Sequence, residues 1–98
     1  MGQHYSYTIW IVKPGEEEEF VRRWTEFADW SEAEGLSAHA RLLRDVDEPG
    51  RFISIGPWET LAAIRRWRTL PSFKEHVGRL GEVLERFEAH TLEQVTEH

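Results

Sequence analysis

With 98 residues, 18 acidic against 12 basic side chains, a net charge of -6 and no cysteine, the chain excludes several classes at once. Disulfide and thiolate chemistry are absent, which points to a reducing cytoplasm, and the acidic balance and the lack of a ~20-residue apolar run argue against nucleic-acid and membrane partners. One domain over 1–98 is expected, with a thin core, because so short a chain buries only ~60–65% of the surface of its unfolded form.

The first element is an apolar, β-branched and aromatic run, Tyr5 to Val12. Tyr5, Tyr7, Ile9 and Ile11 fall on one parity and Trp10 and Val12 on the other, so this strand is expected to be covered on both sides. Lys13-Pro14-Gly15 ends it, and Glu16 to Glu19 open a helix, where exposed amides and the helix dipole favour carboxylates. Four consecutive side chains fan round a helix, so this run reads as a solvated first turn and not as a metal site. Phe20, Val21, Trp24, Phe27 and Ala28 form the buried face to about Ala33, Trp30 lies off it, and Gly35 supplies a stop.

Leu36 to Arg44 is the second strand candidate, with His39 in its middle as a partly exposed sheet residue. Pro49-Gly50 suits the centre of a type II turn with Gly50 at positive φ, so strands two and three form an antiparallel hairpin. Arg51 to Ile55 is the third strand, closed by Gly56-Pro57. Thr60 caps a short helix that ends before Pro71, and Ser72 to Glu75 spells a capping box for the next one. Phe73, Val77, Leu80, Leu84 and Phe87 carry that helix to about Glu88, although Gly78 and Gly81 weaken it. Thr91 to Thr96 is a last short strand. The order β-α-β-β-α-α-β is an α+β, ferredoxin-like split βαβ with a four-stranded antiparallel sheet. Its open face, apolar through strand one, predicts a homodimer.

Five tryptophans and five phenylalanines exceed what a thin core holds, so several are expected at an interface or a cavity wall. Arg65, Arg66 and Arg68 are expected to face solvent at a helix C-terminus, where cations suit the dipole. No phosphate-binding loop, catalytic triad order or close metal-ligand pattern occurs. Trp67 either packs against the sheet or faces a cavity. His76 sits on the shoulder of its helix, where a neutral imidazole facing an aromatic pocket is a competent base or iron ligand. Tyr5, Tyr7 and Arg41 are further candidates to orient a polar substrate.

Over nearly its whole length, the chain resembles the antibiotic biosynthesis monooxygenase family. The resemblance rests on this element order, on Gly56-Pro57-Trp58-Glu59-Thr60 and on Trp67-Arg68-Thr69-Leu70-Pro71-Ser72-Phe73 with His76. It implies a dimeric α+β barrel with a pocket between sheet and helices in each subunit. The implied activity is cofactor-independent oxygenation of an aromatic, polyketide-like substrate. Trp67 and His76 would be the catalytic pair, with Tyr7, Thr8, Trp58 and Phe73 at the substrate. The heme-degrading branch resembles the chain at Trp67, which would press on the porphyrin, and at His76, which would ligate iron. The first-strand asparagine of that branch has no counterpart, since Thr8 and Ile9 stand nearest, and this favours a phenol over heme. A non-catalytic dimeric ligand-binding protein is the alternative from another class.

Overall fold

The computed structural model describes residues 3–35 and 39–98. Its elements are β1 (His4–Val12), α1 (Glu17–Ala33), β2 (Arg41–Arg44), β3 (Arg51–Trp58), α2 (Leu61–Thr69), α3 (Pro71–Gly81) and β4 (Leu84–Glu93). The strands form one antiparallel sheet in the order β2-β3-β1-β4, the expected ferredoxin-like arrangement. The most apolar strand, β1, lies at its centre.

Side chains alternate along each strand, and the register makes the two faces chemically different. Ser6, Thr8, Trp10 and Val12 lie on the helix side with Phe52, Ser54, Gly56 and Trp58 of β3, their partners or neighbours across the ladder. Tyr5, Tyr7, Ile9 and Ile11 lie on the other side with Ile53 and Ile55, all half-buried. The core fills the helix side: Phe20, Phe52, Ile64 and Leu80 are fully buried, with Trp10, Val12, Trp58 and Val83 around them.

The helices begin and end for local reasons. Glu17, Glu18 and Glu19 occupy the first turn of α1. Glu19 accepts from Arg22 and Arg23, and these two bonds, Arg22 first, hold its carboxyl down at about 2. Arg23 also reaches the Arg79 carbonyl and the Glu82 carboxylate, tying α1 to the end of α3. Gly35 takes φ 69° just past α1, as a C-terminal glycine stop requires. The Thr60 hydroxyl accepts the Ala63 N–H at 3.1 Å and caps α2. Leu70 is extended at ψ 139°, as a residue before proline prefers.

Several expectations are corrected. The capping box does not form, because Pro71 already opens α3 with Leu70 as its N-cap, leaving Ser72 inside the first turn with no side-chain cap bond. The last helix ends at Gly81, not near Glu88, and Leu84 to Glu93 is strand. Lys13 N–H bonds the Val83 carbonyl at 2.9 Å, and from there β4 zips along β1. The third strand continues through Pro57 to Trp58; its ladder with β2 stops at Ile55, so Pro57 lies at an edge, where a missing N–H is tolerated.

The second strand begins only at Arg41. Its expected start, Leu36 to Ala38, lies outside the described residues, and His39 takes φ 64°, a left-handed conformation and not a sheet one. The β2–β3 hairpin forms, but Gly50 is not among the positive-φ glycines, so its turn is not type II. Asp45 organises the loop instead, its carboxylate accepting the Asp47 and Glu48 amides at 2.9 and 3.2 Å and pairing with Arg51. No helix of the described residues is long and apolar enough to cross a membrane.

Candidate active site

Between the helix side of the sheet and the three helices lies a cavity of about 400 Å³. Each wall comes from a repeating pattern. Along α1, Trp24, Phe27, Ala28 and Ser31 present successive turns to it. The floor is β1 and β3, whose alternate residues Ser6, Thr8, Trp10 and Ser54 point the same way. Trp67 of α2, Phe73 of α3 and Phe87 and Ala89 of β4 complete the lining.

Trp67 joins the two readings offered for it. It is buried, with its ring stacked on Phe27 at 5.5 Å and 14°, and with Trp58 and Phe73 at 4.9 and 4.7 Å. It also borders the cavity. Its indole N–H donates to the Ser31 hydroxyl at 3.0 Å, and that hydroxyl donates on to the Phe27 carbonyl. An indole N–H buried without an acceptor costs roughly 1–3 kcal/mol, so Ser31 fixes both the ring's depth and its orientation.

Two more indoles follow the same rule. Trp10 donates to Ser54 at 2.9 Å and Trp58 to Ser6 at 3.0 Å. Each of these hydroxyls accepts from an indole on its own face of the sheet, and its proton is left free to turn into the cavity. Thr8 stands directly opposite Ser54 in the register. The floor of a cavity with six aromatic side chains at its wall, Trp10, Trp24, Phe27, Trp67, Phe73 and Phe87, thus carries three hydroxyls.

Of the six residues expected at the site, the structure brings Thr8, Trp67 and Phe73 to the cavity wall. Trp58 is buried behind Trp67. Tyr7 is on the opposite side of the sheet, its ring 6.2 Å from that of His90. His76 stacks on Trp30 at 5.1 Å and on Phe27 at 5.6 Å, one ring removed from the cavity, with Phe27 between them. Burial first, then the Arg79 guanidinium, hold its imidazole below the usual range, against Glu26 and Glu75. The stacking also accounts for Trp30, which packs on α3. The histidine that does border the cavity is His39, and Glu32 and Arg68 also line it. Ser6, Ser31, Ser54 and His39 were not anticipated, although the serines occupy positions where the burial pattern calls for apolar residues.

Residues 7–79 match the profile of the family described as antibiotic biosynthesis monooxygenase. The chain belongs to that family. As a family member it superposes on SnoaB, a cofactor-independent oxygenase from Streptomyces nogalater, with a TM-score of 0.87 at 20% identity, covering 97% of this chain and 95% of that one. A candidate antibiotic biosynthesis monooxygenase from Bordetella bronchiseptica gives 0.85 at 20% identity, over 98% and 100%. Protein SO0527 from Shewanella oneidensis gives 0.82 at 18%, over 95% and 91%. No curated protein matches the sequence. At these identities the superpositions establish the antibiotic biosynthesis monooxygenase fold and nothing narrower.

Proposed function

We propose that the protein is a cofactor-independent monooxygenase that oxidises an aromatic, polyketide-like phenol or anthrone in this cavity. The observation that carries the reading is the pairing of an aromatic enclosure with a floor of three hydroxyls, Ser6, Thr8 and Ser54. The aromatic side chains that border the cavity, Trp10, Trp24, Phe27, Trp67, Phe73 and Phe87, give a planar ring system an apolar enclosure. The hydroxyls donate to the substrate's oxygen and stabilise the phenolate or enolate that must form before oxygen can react. In balanced form, a ring methylene and dioxygen give a carbonyl and water. The substrate supplies all four electrons and both hydrogens of the water, one oxygen atom enters the carbon, and the other leaves in water.

The proton acceptor in this reading is His39, a histidine that borders the cavity, since imidazole is the side chain most often used as a general base. His76 keeps a positioning role, bracing Phe27 and Trp30 from behind. The residues do not fit heme: the imidazole that would ligate iron is separated from the cavity by the Phe27 ring. The functional unit is proposed to be a homodimer joined through the open face of the sheet, with each subunit holding its own cavity.

The test is oxygen uptake with a panel of anthrones and hydroxylated naphthalenes, without added metal or flavin. Uptake above the uncatalysed rate is expected, and His39→Gln should lower it by ~10²-fold or more, the range for a lost general base. No uptake across the panel would leave ligand binding without turnover as the function.

A further inference from the structure

Arg68 is the permanent cation among the described residues that border the cavity, and the oxygenation scheme gives it nothing to do. The two arginines before it on α2, Arg65 and Arg66, are exposed as expected, whereas Arg68 is half-buried. It reaches across to β4. One terminal nitrogen donates to the Thr91 hydroxyl and the other to the His90 carbonyl at 3.2 Å. Both partners are neutral, and they fix the plane of the guanidinium while leaving some of its five N–H donors unused.

Among the described residues no carboxylate forms an ion pair with Arg68, in a chain with 18 acidic side chains. Glu32 borders the same cavity and does not pair with it either. Burial alone pulls the group below its usual range, with no acidic neighbour acting against it. It stays charged regardless, since a guanidinium does not give up its proton in proteins. A half-buried guanidinium at the cavity wall, oriented by neutral acceptors and without a counter-ion, is placed to form charge-assisted hydrogen bonds with an anionic group.

We propose that Arg68 selects the substrate class: the cavity takes an aromatic carboxylate, whose acid group forms a charge-assisted pair with the Arg68 guanidinium while its ring lies against Trp67. The two contacts come from consecutive residues of α2, so ring and acid are read at a fixed offset. This rests on the aromatic-substrate reading above, but its test is binding and needs no turnover.

The experiment is quenching of intrinsic tryptophan fluorescence by 1-naphthoate and by 1-naphthamide, which share a ring and differ in charge. The protein should bind the naphthoate at least ~10-fold more tightly, the effect of one charge-assisted pair. Arg68→Gln should abolish that preference, and Arg68→Lys should keep part of it. Equal affinity for the two probes in the unaltered protein overturns the proposal whether or not the glutamine variant folds. So does failure of the naphthoate to bind, or a preference that survives in Arg68→Gln. A clear naphthoate preference in a protein that consumes no oxygen would uphold the carboxylate site and reject the oxygenase reading.

Discussion

Three indole N–H groups ending on three serine hydroxyls is the pattern at the residue scale from which the rest of the site follows. In each pair the large ring fills the core, and the small partner supplies the acceptor without occupying the space the cavity needs. This is also why the sequence concealed the serines. Ser31 lies four residues after Phe27 on the buried stripe of α1, and Ser6 and Ser54 share the parity of Trp58 and Trp10. A small polar residue inside an apolar pattern shows its purpose only once its partner from another element is in place. Trp67 was legible because its spacing from Ile64 kept it on the buried side of α2. The distance of His76 from the cavity was not legible, because it depends on how α3 lies across Phe27.

The state of His76 can be tested through pH. Its folded-state pKa is lowered by burial and by Arg79, so as pH falls the unfolded chain takes up this proton first. The folded state is therefore unpenalised above the ordinary histidine value and loses stability as pH falls below it. On going from about pH 7.5 to about pH 5.5, the melting temperature should fall by a few degrees more in the unaltered protein than in His76→Phe. The remaining histidines are common to both proteins, so equal falls would mean that the imidazole titrates freely.

At the scale of elements, β4 explains the largest disagreement between the pattern and the fold. In the register, Trp10 faces Phe87, Ile11 faces Arg86 and Val12 faces Leu84, so Glu85 is an extra residue in a bulge. The bulge puts Leu84 and Phe87, three apart, on the same side of a strand. That is the spacing of a helix, and it continued the genuine helical series Phe73, Val77 and Leu80 without a break. Gly78 and Gly81 were the sign that α3 stops early. The capping and hairpin signals had the reverse character. Thr60 and the α2–α3 break were readable from local chemistry, whereas Pro49-Gly50 looked like the organiser of a turn that Asp45 controls.

Stability measurements should separate Asp45 from Gly50. Asp45→Ala removes the acceptor for two loop amides and the partner of Arg51, and should lower the midpoint of urea unfolding. Gly50 needs no positive φ, and a Cβ there would lie 3.4 Å from the Val12 carbonyl oxygen, at the edge of ordinary contact. Gly50→Ala should therefore change stability by less than ~0.5 kcal/mol. The opposite ranking would mean that the glycine, not the Asp45 carboxylate, sets the turn.

On the scale of the whole molecule, the two sides of the sheet divide the work. The helix side spends its apolar residues on a core and a cavity, and the other side presents Tyr5, Tyr7, Ile9, Ile11, Ile53 and Ile55 with no helix over them. Leu43 and Leu92, at 53% and 40% exposure, extend this surface onto β2 and β4. A contiguous apolar face at the centre of a sheet is a liability for a lone chain, and in a domain with so thin a core its burial would add a large share of the total stability. The proposed homodimer packs these faces together and should bury more than ~1,200 Å² in total. Light scattering at micromolar concentration should give twice the chain mass. Ile9→Glu, at the middle of β1 between Ile53 and Glu88, would bring two carboxylates near the twofold axis and should shift the protein to monomers with a lowered melting temperature. Because Ile9 points away from the cavity, those monomers should still bind 1-naphthoate if they remain folded. A monomer from the unaltered chain at micromolar concentration would rule out the sheet-to-sheet dimer and leave the open face needing a different cover.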